Sequence, residues 1–271
     1  MTDARAGRVT RDSIPRVDVL GVGVSVVTMQ SAVAEVGRWI AGGERRYVCA
    51  TGVHGVMESQ RDSELLRIHN ESGLTLPDGI PMVWAGRFAG ARGIARVYGP
   101  EFMLAVCELA AARGWSSFLY GGAPGVPERL GRRLRERFPG LRVAGHHSPP
   151  FRPLTDQEDA EVVDRINSSA AELVWVGLST PKQERWMAAH IDRLRAPAVA
   201  FGVGAAFDLH AGLRRDAPSW MGPWGLHWLY RLAREPRRLA GRYFVNNPRF
   251  AASLIRRPPV LRPPSGPGRP E

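Results

Sequence analysis

Residues 173–208, LVWVGLSTPKQERWMAAHIDRLRAPAVAFGVGAAFD, contain the pattern that decides the fold. The apolar run at 173–177 predicts a buried strand, the helical spacing over 183–194 predicts a helix, and 198–201 predicts the next strand. Each of these strands leads into a loop with unusual residue types, STPKQE after the first and GVGAAFD after the second. This strand–helix–strand order indicates a βαβ unit.

The same alternation continues from this segment towards the N-terminus. Strands are predicted at 17–29, 47–51, 74–76, 116–120 and 141–145, and helices at 31–40, 56–70, 83–88, 101–113, 126–138 and 156–168. Strands that alternate with helices at this pitch favour a parallel sheet that is covered on both faces. We therefore predict an α/β fold: a Rossmann-like parallel-sheet core with helices on both faces, plus a basic helical C-terminal appendage.

Positive charge is concentrated in the C-terminal part of the chain. Of the net charge of +11, residues 214–271 hold twelve arginines against three acidic residues. Such an uneven distribution favours a polyanionic partner there, either nucleic acid or an anionic membrane. A solvated arginine-rich tail is the alternative. Between 224 and 244, tryptophan, tyrosine and leucine alternate with arginine at helical spacing, a pattern typical of a membrane interface or of an amphipathic helix docked on the core.

Four segments are predicted from these patterns. We expect a disordered N-terminus at 1–16, an α/β catalytic core at 17–213, a membrane-associating helical appendage at 214–255 and a disordered tail at 256–271. The N-terminus has no signal-peptide core, and no apolar stretch reaches the roughly 18 residues of a membrane span. We therefore expect a cytoplasmic protein that is soluble or peripheral to a membrane.

Ligands of open α/β sheets bind beyond the carboxyl ends of the strands. Five loops at such strand ends are expected on one rim: 51–54, 77–79, 121–125, 180–184 and 202–208. The loop GGAPG at 121–125 is either a phosphate-binding turn at the start of a helix or a tight turn without a ligand. The chain contains no Asp-x-Asp pair, so we expect no carboxylate-held metal and no cofactor, and a leaving diphosphate would need arginines or helix dipoles.

Two charged residues on this rim are candidates for chemistry. Asp78 lies between Pro77 and Gly79 at a strand end, where it can accept a proton from an attacking hydroxyl or can cap the next helix. Lys182 is the only lysine among 37 cationic residues, which suggests that a compact ammonium is needed there. Its expected partner is either a phosphate or Glu184.

Several motifs in this chain resemble those of one known family, the WecG/TagA/CpsF family of glycosyltransferases (glycosyltransferase family 26). In the core they are LTLPDGIP (74–81), RVYGP (96–100), LYGGAPGV (119–126), VGLSTPKQERW (176–186) and GVGAAFD (202–208). In the C-terminal part they are APSWM (217–221), GLHWLYRL (225–232) and EPRRL (235–239). The motifs occur in the family's order and extend over most of the chain.

The resemblance implies a metal-independent, inverting transferase that moves a sugar, commonly N-acetylmannosamine, from a UDP-sugar to a polyprenyl-diphosphate-linked acceptor. Such enzymes act in bacterial surface or exopolysaccharide biosynthesis, which places the protein peripherally on the inner face of the cell membrane. By the same resemblance, Asp78 is the general base, and Arg96 and Gln183 handle donor or acceptor. The basic appendage completes the active site, and the resemblance leaves open a homo-oligomer that competes with the membrane for one surface.

The predicted substrate-binding residues combine the rim loops, the resemblance and the charge of the appendage. They are Thr51, Gly52, His54, Arg96, Tyr98, Gly121, Gly122, Gly125, Lys182, Gln183, Gly204, Asp208, Arg214, Arg231 and Arg237. The sequence does not choose which of the three appendage arginines meets the diphosphate. The family's usual Thr-x-Asn loop is replaced by Ala50-Thr51-Gly52, so the donor sugar stays open.

Two other functional classes are alternatives to the transferase. A nucleic-acid-binding protein would use the basic arm to contact phosphates, but the chain has none of the usual recognition signatures. A nucleotide-dependent oxidoreductase would need a dinucleotide fingerprint, which is absent from the sequence. We therefore expect a UDP-sugar, a lipid-linked acceptor and an anionic membrane surface as partners, and no nucleic acid.

Overall fold

Strands and helices alternate along most of the chain. The computed structural model describes residues 14–218, 221 and 227–264, without the side chains of His227, Arg238 and Arg242. The strands in these ranges are β1 Arg16–Val19, β2 Val22–Ser25, β3 Arg45–Thr51, β4 Leu74–Pro77, β5 Ser116–Gly121, β6 Arg142–His147, β7 Leu173–Gly177, β8 Ala198–Gly202 and β9 Val260–Arg262. The helices are α1 Met29–Ala41, α2 Val53–Ser59, α3 Ser63–Glu71, α4 Ile80–Phe88, α5 Gly99–Arg113, α6 Val126–Arg137, α7 Asp156–Ser168, α8 Lys182–His190, α9 Ala206–His210, α10 His227–Arg234 and α11 Pro236–Arg256.

Six strands form the central sheet in the order β4–β3–β8–β7–β5–β6. Every neighbouring pair is parallel; Val48 of β3, for example, is opposite both Leu74 of β4 and Phe201 of β8. The carboxyl ends of β4, β3, β8 and β7 therefore lie side by side on one edge, whereas those of β5 and β6 lie further along it. The α/β parallel-sheet prediction is confirmed.

Both faces of this sheet are buried because successive side chains of a strand point in opposite directions. In β7, Leu173 and Trp175 pack into a cluster formed with α1, α5, α6 and α9. Val174 and Val176 pack into a second cluster, formed with α3, α7 and α8. Burial on both faces explains why the sequence of β7 is a continuous apolar run without polar alternation.

The predicted helix at 56–70 is in fact two helices. α2 ends at Ser59, and α3 begins at Ser63. Asp62 separates them because its side chain accepts a hydrogen bond from the backbone N–H of Leu65, 3.0 Å away, and thereby caps α3. The described part of the appendage also contains two helices: α10 ends at Arg234, and Pro236 occupies the first turn of α11, where it removes no helical hydrogen bond.

A second, three-stranded antiparallel sheet joins the two ends of the described chain in the order β2–β1–β9. The prediction of a disordered tail at 256–271 is wrong where the structure describes it, since α11 continues to Arg256 and β9 pairs with β1, with Val17 opposite Leu261. This strand is stable because β1 offers an unpaired edge and because Asp18 binds the guanidinium group of Arg262. The predicted disordered N-terminus is likewise too long at its end, since β1 begins at Arg16. Residues 1–13 and 265–271 lie outside the described residues.

Candidate active site

A cavity of about 960 Å³ lies at the carboxyl ends of β3, β4, β7 and β8. The loops after these strands form its polar end, and α4, α10 and α11 form apolar walls. Polar and charged side chains that line it include His54, His69, Asp78, Arg96, Tyr98, Thr180, Gln183, Glu184 and Arg231. Apolar lining side chains include Trp84, Phe88, Trp228, Phe250, Leu254 and Ile255. The cavity can therefore hold a molecule with a polar part and an apolar part.

Backbone contacts fix the position of Asp78 at this cavity. Its N–H group donates to the carbonyl oxygen of Thr51, 3.1 Å away, which ties the end of β4 to the end of β3. A Cβ atom on Gly52 would lie 2.5 Å from the carbonyl oxygen of Asp78, so only glycine fits this close approach. The carboxylate accepts a hydrogen bond from the N–H group of Gly99. It does not cap α4, whose N-cap is Gly79 without a side-chain hydrogen bond.

The surroundings of Asp78 shift its pKa towards neutrality. Burial raises the pKa of this carboxyl to about 6, while the positive charges of Arg231 and Arg96 lower it and Glu101 raises it. Arg96 is held in place by Glu101, 3.0 Å away, and by the ring of Tyr98, whose centroid is 4.9 Å from the guanidinium carbon. A carboxyl group with a pKa near 6 can accept a proton at neutral pH and suits a general base.

The first turn of α8 forms another wall of the cavity. Glu184 receives two hydrogen bonds on Oε1, one from the Thr180 hydroxyl at 2.9 Å and one from Nε2 of Gln183 at 3.0 Å. Gln183 packs against Gly202, where a Cβ atom would lie 3.1 Å from its Nε2 atom. Burial raises the pKa of Glu184. This wall therefore holds a carboxyl group and a carboxamide in fixed orientations.

The part of the chain that the structure describes offers neither a cluster of metal ligands nor a membrane span. No group of three or more histidine, cysteine, aspartate or glutamate side chains there could hold a metal ion. None of the helices in that part combines the length and the apolar character that crossing a membrane requires.

The model of one protein family, described as "Glycosyl transferase WecG/TagA/CpsF family", matches residues 17–262. The chain belongs to this family. The expected resemblance is thereby confirmed. The chain is a glycosyltransferase, and the names of its relatives are consistent with a hexosyltransferase.

Two relatives illustrate where the chain stands within the WecG/TagA/CpsF family. A protein of Bacillus spizizenii strain W23 is 28% identical over 200 residues, which cover 73% of this chain and 74% of the relative. A protein of Staphylococcus aureus strain MW2 is 26% identical over 231 residues, which cover 84% and 89% of the two chains. Each is named N-acetylglucosaminyldiphosphoundecaprenol N-acetyl-beta-D-mannosaminyltransferase.

The structure of this WecG/TagA/CpsF family member brings half of the predicted site residues together. Besides Asp78, those that line the cavity are Gly52, His54, Arg96, Tyr98, Gln183, Gly204 and Arg231. Thr51 lies behind the cavity, with Oγ1 3.5 Å from the carbonyl oxygen of Cys49. The Tyr98 hydroxyl donates to Asp216 at 3.2 Å, so it also joins the core to the start of the appendage.

The glycine loop after β5 does not line the cavity. The N–H group of Gly122 donates to the carbonyl oxygen of Gly177 at 3.0 Å, and a Cβ atom on Gly121 would lie 2.6 Å from that oxygen. Gly125 has a φ of 82°, which glycine adopts readily, at the N-cap of α6. These positions need glycine for the close packing of β5 on β7, which favours the tight-turn interpretation of this loop.

Four charged residues of the predicted site also lie outside the cavity lining. Arg214 is paired with Asp208 at 3.0 Å and with Glu235 at 2.5 Å, which joins α9 to the start of α11. Lys182 and Arg237 are exposed. Of the three appendage arginines that the sequence left open, Arg231 is the one that lines the cavity and whose charge acts on Asp78.

Sequence reasoning missed several residues that line the cavity. Trp84 and Phe88 are one helical turn apart on α4 and are 64% and 77% exposed, a spacing that could have indicated a second apolar surface. His69, on α3, belongs to none of the strand-end loops. Nothing in the sequence signals that α3 packs against α8 and brings this histidine to the cavity.

Proposed function

We propose that this protein is an inverting, metal-independent glycosyltransferase that moves a sugar from a UDP-sugar to a polyprenyl-diphosphate-linked acceptor in bacterial surface or exopolysaccharide biosynthesis. One observation carries the proposal: a carboxyl group with a pKa near 6, Asp78, lies with Arg96 and Arg231 in a cavity that is polar at one end and apolar along its walls. The transferred sugar is of the N-acetylmannosamine type or another hexose.

Asp78 supplies the base in this reaction. An acceptor hydroxyl gives its proton to the Asp78 carboxylate while its oxygen attacks the anomeric carbon of the donor. The bond from that carbon to the UDP oxygen breaks, and its electron pair leaves with UDP. Attack on the face opposite the leaving group inverts the anomeric configuration, and one carboxylate is sufficient for a single displacement of this kind.

Arg231 and Arg96 neutralise the charge that develops on the leaving diphosphate. Both guanidinium groups belong to the lining of the cavity, and both lower the pKa of Asp78, so their positive potential already acts at the reacting end. Arginine suits this purpose because its charge is permanent and its planar donors match phosphate oxygens. Two fixed cations of this kind support transfer without a metal ion.

The acceptor proposal rests on the apolar walls and on the named relatives, whose acceptor is a diphosphoundecaprenol carrying N-acetylglucosamine. Trp84 and Phe88 of α4 face the same cavity as Phe250 and Leu254 of α11. An apolar wall that adjoins the two arginines fits a molecule in which a prenyl chain is attached to a diphosphate. The prenyl chain would extend along these walls towards the membrane.

We also propose that α4, α10 and α11 form the surface that binds the inner face of an anionic membrane. Large apolar side chains are exposed on all three helices: Trp84, Phe88, Trp228, Leu229, Phe244, Val245 and Ile255. Arginines stand among them on α10 and α11. Apolar side chains flanked by several cations bind anionic membranes more strongly than either kind alone. A homo-oligomer would compete for these apolar side chains, and nucleic acid is not expected to bind.

A donor panel tests the proposal. Purified protein is incubated with several UDP-sugars and N-acetylglucosaminyl-diphosphoundecaprenol in anionic vesicles, and the anomeric configuration of the product is determined by NMR. Transfer from one UDP-sugar with inversion, at a rate that EDTA leaves unchanged, is the expected result. Transfer with retention, or a strict requirement for Mg²⁺ or Mn²⁺, would contradict the proposed mechanism. Stronger binding to random DNA than to the vesicles would contradict the membrane surface.

A further inference from the structure

Three buried hydrogen-bond acceptors belong to residues that line the cavity and have no donor among the described residues. They are Nε2 of His69, Oε1 of Gln183 and Oε2 of Glu184. The three residues are 0%, 3% and 1% exposed. A buried polar atom without a partner raises the free energy of the folded state, and such atoms are few in native proteins. Three of them at one cavity indicate that a ligand supplies the missing donors.

The hydrogen bonds of His69 show that its Nε2 atom is an acceptor. Nδ1 is 2.9 Å from the carbonyl oxygen of Leu65, which can only accept, so Nδ1 carries the proton. The Ser59 hydroxyl, 3.2 Å from Nδ1, donates instead to the carbonyl oxygen of Gly55 at 2.9 Å. Burial lowers the pKa of His69 and keeps the ring neutral. Nε2 therefore keeps an unused lone pair, buried in the wall of the cavity.

The same reasoning applies to the pair on α8. The donors from Thr180 and Gln183 both go to Oε1 of Glu184, which leaves Oε2 bare. Because Nε2 of Gln183 is directed to Glu184, its Oε1 atom is left as an acceptor. Burial raises the pKa of Glu184, and a donor hydrogen bond at Oε2 would stabilise the ionised carboxylate. This part of the cavity wall thus contains buried acceptors without donors, whereas Arg96 and Arg231 supply donors.

We propose that His69, Gln183 and Glu184 form a subsite for a hydroxyl-bearing ring of the donor, either the ribose of UDP or the transferred sugar. The inference rests on the proposed UDP-sugar donor and adds His69 and Glu184 to the residues that bind it. A sugar ring offers several hydroxyl donors on adjacent carbons, and a diphosphate offers only acceptors. The diphosphate therefore belongs with the two arginines, and the hydroxyls belong with the three acceptors.

Two substitutions test the subsite on the full chain. In Glu184→Gln, the amide oxygen takes the place of Oε1, where two donors converge, so the amide NH₂ group replaces the acceptor Oε2 with a donor. In His69→Asn, the side-chain amide can keep the hydrogen bond to Leu65 but offers nothing in place of Nε2. Glu172→Gln is the matched control, since Glu172 stands before β7 at the opposite end of the sheet and accepts from Ser116 at 2.7 Å.

Calorimetry with UDP and with UDP-N-acetylmannosamine, together with steady-state kinetics, gives the readout. Each site variant should bind UDP-N-acetylmannosamine about 10- to 100-fold more weakly, the usual effect of losing a hydrogen bond to a charged or buried group, with KM changing more than kcat. Equal weakening of UDP binding assigns the acceptors to the ribose, and unchanged UDP binding assigns them to the transferred sugar. The Tm of unliganded Glu184→Gln should change little, because one unpartnered buried polar group replaces another of the same shape, whereas the Tm of His69→Asn should fall somewhat, because the smaller side chain leaves a cavity.

Three results would overturn the subsite. Wild-type affinities in both site variants would show that the acceptors do not meet the donor. A lower Tm with unchanged KM would show that the two side chains only support the fold. If the wild-type protein binds neither UDP nor UDP-N-acetylmannosamine, both the proposed donor class and the subsite are wrong. If the wild type and both variants bind equally well, only the subsite is wrong.

Discussion

The core and the appendage of this protein are built in opposite ways. The six-stranded sheet is covered by buried side chains on both faces, and the ends of its strands hold Asp78 in a fixed position. Beyond residue 213, the buried side chains in the described part are few: Ala217, Leu239, Asn246, Phe250 and Pro259. Trp228, Leu229, Phe244, Val245 and Ile255 remain exposed there.

This difference shows how the work is divided between the two regions. The core can fix the carboxylate of Asp78, the proposed base, because its backbone is held by a sheet. The appendage has little core of its own and is fastened by the ion pairs of Arg214 and by β9. It contributes Arg231, an apolar wall and an exposed apolar surface that a membrane can cover. Substitutions on each side should therefore have different effects.

The largest effect is expected in the core, at the base. Asp78→Asn should lower kcat by about 10²- to 10⁴-fold, since the amide cannot accept the proton. It should not destabilise the fold. The pKa of Asp78 is raised to about 6 from an ordinary value of 3.8, so the free energy of unfolding falls as pH rises from about 4 to about 6. The asparagine variant escapes this loss and should be at least as stable as wild type at pH 8 by thermal unfolding.

Asp164→Asn, which changes an exposed carboxylate on α7, is the control for this comparison. It should leave both kcat and Tm unchanged. A kcat near the wild-type value in Asp78→Asn would remove Asp78 from the mechanism.

The next effect tests whether the appendage takes part in the chemistry. Arg231→Gln should lower kcat/KM by about 10- to 100-fold, because a charge-assisted hydrogen bond to the diphosphate is lost. Arg237→Gln removes an exposed arginine of the same appendage and should change kcat/KM by less than about 3-fold. Equal losses in both variants would mean that the appendage acts through its total charge rather than through one residue.

The pH profile sharpens the same comparison. As a base, Asp78 must be ionised, so kcat/KM should be low below its pKa of about 6 and should rise as pH passes through that value. The charge of Arg231 lowers this pKa, and removing that charge should move the acidic limb to higher pH. If the acidic limb of Arg231→Gln coincides with that of the wild type, the charge of Arg231 does not act on Asp78.

A smaller effect is expected at the membrane surface. Phe88→Ser on α4 should weaken binding to anionic vesicles by about 10-fold, since a phenyl group no longer leaves water on binding. Turnover with a detergent-solubilised acceptor should fall less. Phe151→Ser removes a phenyl ring that is 86% exposed beyond the end of β6, away from this surface, and should bind vesicles like the wild type. If both variants sediment equally with vesicles, α4 is not part of the membrane surface.

The smallest effect is expected for the lone lysine. Lys182 is exposed at the start of α8 and does not line the cavity. Lys182→Gln should therefore change the donor KM by about 2-fold or less, and Tm equally little. A 10-fold rise in KM would instead support the phosphate-binding role that the sequence suggests for Lys182, the only lysine of the chain.

Local patterns in the sequence were sufficient to predict the parallel sheet and the position of Asp78 at the end of a strand. Apolar runs such as 173–177 mark strands that are buried on both faces, and a charged residue between proline and glycine at a strand end marks the rim. The sequence could not show that Arg231, rather than Arg214 or Arg237, lines the cavity. That choice depends on tertiary contacts, such as the ion pair of Arg214 with Glu235, which is 21 positions away.

The strand β9 was missed for a related reason. Its three residues, Val260–Arg262, lie among prolines and carry no alternating pattern of their own. They become a strand because β1 offers hydrogen bonds and because Asp18 attracts Arg262. Glu184 and His69 were not assigned to the site for the same reason. Their unpartnered atoms are buried by the packing of α3 against α8, which the sequence does not show.

The pairing of β1 with β9 also sets the order in which the molecule can fold. Val17 is opposite Leu261, so residues more than 240 positions apart must be brought together for this ladder, and such distant pairings form slowly. The parallel sheet can form first, while the edge of β1 stays open to pairing with other chains. A chain cut after α11 would keep that open edge. Such a chain still contains Arg231, but it is expected to aggregate during folding.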